Sequence, residues 1–266
     1  MTKIVDSFLF FNEIDILELR LNILYDYVDY FVITEADRTF SGIRKEFNYL
    51  KNKTKFKKFE DKIIYNQVNI PDNITITWDR EIFQRNYPLL KIKNIFSPND
   101  VILTSDIDEI PSTEVLKNYN DWFKNDTLYH FKQDMYMYYL NNFKTTQWFG
   151  TRACSLSFLN DKTIDDIRQA TEDETKLSGC IIENAGWHFT YLGGKDMIEC
   201  KIESFSHQEY NNEVIKSNIE KCLDQNIDIL GRNVSYNAIP IDDYNFPEYI
   251  VENAKKYSHL IKNVSN

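Results

Sequence analysis

VILTSDIDEIP, Val101 to Pro111, is the stretch on which the reading of this chain turns. Val101 to Thr104 is a continuous apolar run, the pattern of a strand buried on both faces, and it gives way at once to three carboxylates, Asp106, Asp108 and Glu109, before Ile110 and Pro111 close the segment. Like charges this close repel, so a fold that gathers them needs a cation, a basic partner or a shared proton to offset the cost.

The same strand rhythm extends to both sides. Lys3 to Phe11 is a short apolar run, and Asn12 is placed to cap a helix through Leu24 whose stripe is Ile14, Leu17, Leu21 and Leu24. Tyr30 to Thr34 reads as the next strand, ending at Glu35, and the intervening helix makes a crossover to a parallel neighbour the expected connection. A polar stretch from Asp37 to Asp61 precedes a strand over Lys62 to Val68 and a helix over Thr77 to Ile95. Apolar strands alternating with helices predict an α/β fold with a mostly parallel central sheet flanked by helices, in which ligands collect at the carboxyl ends of strands. The acidic segment falls at such an end.

Beyond Pro111 the expected elements are a helix over Thr113 to Phe123, a strand over Leu128 to Leu140, a turn at Trp148-Phe149-Gly150 and a strand over Ile181 to Leu192. Helical patterns return at Asn212 to Gln225 and Pro247 to Ile261, so residues 1–210 are read as one α/β domain and 211–266 as a helical segment packed on it.

Composition narrows the partners. A formal charge of −10 over 266 residues argues against general affinity for nucleic acid or anionic lipid, which needs a basic face. The cluster Lys51, Lys53, Lys55, Lys57 and Lys58 is interleaved with Asn, Thr and Phe and reads as a solvated face. Cys154, Cys180, Cys200 and Cys222 have neither zinc-site spacing nor the density of a disulfide scaffold, and are read as packed thiols. The N-terminal MTKIVDSFLFF lacks the features of a signal peptide, and no apolar run is long enough to span a bilayer, so the expectation is a soluble, cytoplasmic protein.

An Asp-X-Asp at a strand end suits a hard divalent ion, Mn²⁺ or Mg²⁺, which takes a few carboxylates and completes its shell with substrate phosphate oxygens. Such an ion would stabilise the charge that grows on a diphosphate leaving group. Out of context the triplet is more often a solvated turn; the buried strand before it and the Ile-Pro after it favour the metal reading.

Three segments in order, VDSFLFFNEIDILELRLNILYDYVDYFVITEADRTFSG (Val5 to Gly42), SDIDEIP (Ser105 to Pro111) and NAGWHFTYLGG (Asn184 to Gly194), resemble the family 17 glycosyltransferases, which include the bisecting β-1,4-N-acetylglucosaminyltransferases. The resemblance runs from about Val5 to His207. It implies a GT-A-type fold, a UDP-sugar donor with N-acetylglucosamine as the sugar, a divalent metal, a glycan hydroxyl as acceptor and inversion at the anomeric carbon.

Carried over residue by residue, Asp106 and Asp108 match the metal motif. Ser105, Asp106 and Glu109 would face the donor, with Glu109 alternatively holding the loop. His188 is the candidate further metal ligand and His207 its rival, although a histidine in an apolar strand is more often a core residue. Glu35, with Arg38 nearby, would meet the base or ribose, or form a structural salt bridge. Arg85 could pair with the diphosphate or with Glu81, one helical turn away. Asp134 and Glu183 are the candidate catalytic bases, with Glu172, Asp173 and Glu174 a looser third choice. Trp148 and Trp187 could be acceptor platforms or core. The rival classes are a haloacid-dehalogenase-like phosphatase, whose Asp-X-Asp ordinarily opens the first strand of its domain, and a non-catalytic glycan- or nucleotide-binding module.

Overall fold

The computed structural model describes residues 2–168, 171, 173–234, 236–242 and 246–264. The chain begins β1 (Ile4–Phe10), α1 (Ile14–Leu24), β2 (Tyr30–Ala36), α2 (Asn48–Lys51), β3 (Ile63–Val68), α3 (Thr77–Asn86), α4 (Leu89–Ile95), β4 (Val101–Asp106) and β5 (Glu109–Pro111). Next come α5 (Thr113–Lys117), α6 (Tyr119–Trp122), β6 (Tyr129–Met137), β7 (Asn142–Ser155), α7 (Ile164–Ile167), β8 (Cys180–Ile182), β9 (Gly186–Thr190) and α8 (Gly194–Ser204). The chain ends with α9 (Glu213–Ser217), α10 (Ile219–Gln225), β10 (Tyr236–Ala238) and α11 (Glu248–Glu252).

One sheet runs in the order β3-β2-β1-β4-β7-β6-β9-β5, with β10 on β7 and β8 on β6. Its first four strands are parallel. Beyond β4 the sheet is mixed: β7 is antiparallel to β4 and β6, β9 is parallel to β6, and β5 is antiparallel to β9. The α/β class expected from the sequence is the one observed, with the acidic segment where the parallel half meets the mixed half.

Four details differ from expectation. The helix expected over Thr77 to Ile95 is two, because Pro88 has no N–H to donate and its ring opposes a continuous helix. Trp148-Phe149-Gly150 is no turn but the interior of β7. Glycine is needed there for close approach: a Cβ on Gly150 would lie 2.5 Å from Glu109 Cδ and 2.6 Å from Gln133 Oε1. The segment after residue 211 carries, besides short helices, the strand β10, which joins the central sheet. Among the four thiols, Cys180 is exposed rather than packed.

Strand alternation divides the core in two. Ile4, Phe8, Phe31, Ile33, Val101 and Leu103 face α1 and α11, while Val5, Val32 and Ile102 face α4 and α7. Two residues of the acidic segment inherit this parity. Ser105 follows Leu103 toward α1, and Asp106 follows Ile102 toward the opposite layer.

On the α1 side one cation interrupts the apolar layer. Arg20 is fully buried, its Nε and Nη2 paired with Asp6 Oδ2 and Oδ1 at 2.8 and 2.6 Å. Nη2 also donates to Ser105 Oγ at 2.6 Å, and Nη1 donates to the carbonyls of Asp106, Ile107 and Glu109, each at 3.0 Å. Burying an ion pair costs several kcal/mol per ion unless the remaining donors are satisfied. Here every guanidinium nitrogen is used, and the turn from β4 into β5 is wrapped around it. Arg20→Met should lower stability by roughly 3–5 kcal/mol, because Asp6 is left buried without a partner. Urea unfolding measures this, and a loss under about 1 kcal/mol, the worth of an exposed ion pair, would contradict the reading.

Candidate active site

The turn held by Arg20 presents its carboxylates in three directions. Glu109 points inward and is fully engaged: Oε2 accepts the Asp106 N–H at 2.9 Å, Oε1 accepts Trp148 Nε1 at 2.6 Å, and Arg168 Nη2 lies 2.6 Å from both oxygens. It therefore holds the loop, one of the two roles weighed for it. Ser105 Oγ is occupied by Arg20 on the other side of the sheet.

Asp106 is the open member, with 43% of its side chain exposed. Its Oδ2 is 3.1 Å from Arg168 Nη2 and its Oδ1 is 3.6 Å from Arg85 Nη2. Desolvation raises its pKa, but the two guanidinium groups outweigh that and hold it below the ordinary range. Arg85 also pairs with Glu81, which in turn accepts from Ser206 Oγ, and lies 3.5 Å from Asp165. The ion pair with Glu81 and the approach to Asp106 thus coexist. Arg168 is buried, and its Nε and Nη1 have no hydrogen-bond partner among the described residues. Glu109 and Asp106 nevertheless keep it firmly charged against the desolvation that works to discharge it.

Asp108 turns toward β9 and α8. The β5–β9 pairing sets Glu109 opposite His188, and this brings His188 Nε2 within 3.6 Å of Asp108 Oδ1. The approach of the two strands requires Gly186, whose φ is +133° and where a Cβ would meet the Ile110 carbonyl at 2.1 Å. Lys201 Nζ donates to Asp108 Oδ2 at 2.9 Å and to Thr190 Oγ1 at 3.3 Å. Burial pushes the Asp108 pKa up, but Lys201 and His188 prevail and take it far below the usual carboxylate range. Glu13, just before α1, lies within the field of Lys201 and Asp108; burial raises its pKa, and its Oε2 accepts the N–H groups of Phe11 and Asn12. Trp148 closes the group, its ring 5.1 Å from that of His188.

A divalent ion suits this donor set only with help from substrate. Asp108 and His188 face each other, His188 Nδ1 is buried without a partner among the described residues, and Asp106 is accessible. Among the described residues no three His, Cys, Asp or Glu side chains stand close enough to hold an ion unaided. Two protein ligands completed by diphosphate or water oxygens is an ordinary arrangement for Mg²⁺.

The remaining expected residues lie outside this cluster. Glu35 is fully buried and bound by Lys45, the N–H groups of Asn48 and Tyr49, and Tyr65 Oη. Arg38 pairs with Asp72 at 2.7 Å. His207 bonds Glu209 at 2.7 Å and packs edge-on against Trp78. Asp134 pairs in register with Trp187 and accepts from Gln147 at 3.1 Å; its neighbours Gln133 and Met135 share the His188 face, so alternation turns Asp134 to the other. Glu183 is 59% exposed beside Lys132, Glu174 lies 3.9 Å from the same lysine, and Asp173 pairs with Lys176. Glu172 lies outside the described residues. Trp187 packs against the main core, as its alternative reading had it.

The acidic, cation-lined cluster thus lies at the carboxyl ends of the parallel strands of an α/β sheet. The chain belongs to glycosyltransferase family 17, whose profile matches residues 1–264. That membership sets aside the phosphatase alternative. No curated protein matches. Among solved structures the chain is similar to the galactosyltransferase LgtC, crystallised with donor and acceptor sugar analogs, at 13% identity and a TM-score of 0.36, covering 99% of this chain and 97% of that one. A likeness this loose transfers no residue. No helix among the described residues is long and apolar enough to cross a membrane.

The Asp108 pair predicts an acid-sensitive contribution to stability. A carboxyl whose folded pKa lies below its unfolded value stabilises the protein fully above about pH 5 and progressively less as pH falls through the folded value. In urea unfolding from about pH 6 down to about pH 3, wild type should lose more stability than Asp108→Asn. Parallel decline of the two proteins would rule the pair out.

Proposed function

We propose that the chain transfers a sugar, N-acetylglucosamine by the resemblance of its motifs, from a UDP-sugar to a glycan hydroxyl with inversion, at the site formed by Asp106, Asp108, His188 and their basic partners. The observation that carries this reading is the splayed carboxylate pair. Asp106 lies open beside Arg85 and Arg168, while Asp108 faces His188 and Lys201. A dianionic leaving group needs cationic donors aimed at where its charge grows, and here guanidinium groups flank one carboxylate and an ammonium the other.

Arg85 and Arg168 would orient a diphosphate beside Asp106, with the two Arg168 nitrogens that have no partner among the described residues as further donors. Mn²⁺ or Mg²⁺, held by Asp108 and His188 with Asp106 nearby, would neutralise charge on that diphosphate. Trp148, tied to Glu109 and set against the His188 ring, forms a firm apolar wall on which the C–H face of a sugar can pack.

UDP release from a panel of UDP- and GDP-sugars, with and without Mn²⁺, tests this directly. The expected result is metal-dependent release from one UDP-sugar, reduced at least about 10²-fold in Asp108→Ala, the scale of losing one strong electrostatic stabiliser. Phosphate release from a simple phosphomonoester, or no turnover and no nucleotide binding, would contradict it.

A further inference from the structure

Lys201 stands where a metal-bound site would place positive charge. Its ammonium lies 2.9 Å from Asp108 Oδ2, while the other oxygen of the same carboxylate faces His188 Nε2 at 3.6 Å. The two groups differ in access: the Asp108 side chain is 8% exposed and that of Lys201 30%. The lysine therefore lies at an open rim over a nearly closed carboxylate. Its long stem can swing, and the Tyr191 ring, 5.2 Å from Nζ, offers a surface along which to move. The guanidinium groups on Asp106 are by contrast anchored elsewhere, Arg168 by Glu109 and Arg85 by Glu81.

A divalent ion and an ammonium cannot share one carboxylate without strong like-charge repulsion. We propose that in the free enzyme Lys201 holds the cation position on Asp108, and that the donor's diphosphate draws it away so that metal and nucleotide bind together and metal alone binds weakly. The proposal rests on the transferase reading above and gives Lys201 a positioning role within it. Each ligand supplies what the other lacks. The diphosphate gives the displaced ammonium a new anionic partner, and the vacated Asp108 oxygen, with His188, becomes available to the ion. Because binding linkage is reciprocal, UDP must raise affinity for the ion by the same factor as the ion raises affinity for UDP.

The test is Mn²⁺ affinity, read by electron paramagnetic resonance of the free ion, for wild type, Lys201→Gln and Lys201→Arg, each with and without UDP. Wild type should bind Mn²⁺ weakly alone and more tightly with UDP by a factor in the range of about 5 to 150 that coupled ligands show. Lys201→Gln should bind Mn²⁺ alone about tenfold or more tighter than wild type, with the coupling to UDP much reduced, and Lys201→Arg, which keeps the charge, should stay weak without UDP. A damaged fold would weaken UDP binding, so Lys201→Gln must also keep its affinity for UDP. If wild type shows the UDP-dependent binding and Lys201→Gln binds Mn²⁺ no tighter than wild type, the lysine proposal falls while the function stands. If no protein binds Mn²⁺ even with UDP bound, the metal reading and this proposal fall together.

Discussion

The buried pairing of Arg20 with Asp6 is the constraint on which the site depends. Both charges sit in an apolar layer between α1 and the sheet, where neither could remain without the other. Having bound Asp6, the guanidinium still has donors to satisfy, and it satisfies them on the Ser105 hydroxyl and on the carbonyls of Asp106, Ile107 and Glu109. The main chain of the acidic turn is thereby fixed by groups that carry no catalytic role, and its side chains are left free to diverge. Glu109 repeats the device on the other side, tying the Asp106 N–H, Trp148 and Arg168 to one carboxylate.

Charge alternation explains how so many carboxylates survive together. Each is paired with a cation, Arg168 serving two of them: Arg20 for Asp6, Arg168 for Glu109, Arg168 with Arg85 for Asp106, and Lys201 for Asp108. These cations come from α1, α3, the residue after α7, and α8, so the site records the meeting of four separate elements around the end of β4. On the proposed reading, an incoming diphosphate would meet Arg85 and Arg168 already oriented, which lowers the reorganisation needed during reaction.

Much of the parallel half was legible in the sequence because its strands are buried on both faces and read as unbroken apolar runs. The acidic motif was legible because three carboxylates after such a run demand an explanation. His188 could be suspected only from the resemblance, since it is the β5–β9 register that brings it to Asp108. Arg20 left a faint signal: a lone arginine between Leu17 and Leu21, on the edge of the apolar stripe of α1, reads as a helix edge unless its burial is known. Arg168 and Lys201 left none, because their partners lie 62 and 93 residues away and no local spacing encodes such contacts. Gly150 was misread as a turn because close approach and turn geometry ask for the same residue, and only the packing of Glu109 and Gln133 against it tells them apart.

The central claim, that the turn from β4 to β5 with β9 and α8 is where the donor binds, is tested most directly by hydrogen–deuterium exchange with and without UDP and Mn²⁺. The account predicts slowed exchange confined to peptides covering residues 83–87, 104–111, 165–168, 186–191 and the 198–206 segment. Protection appearing instead on α4 alone, with these peptides unchanged, would contradict it.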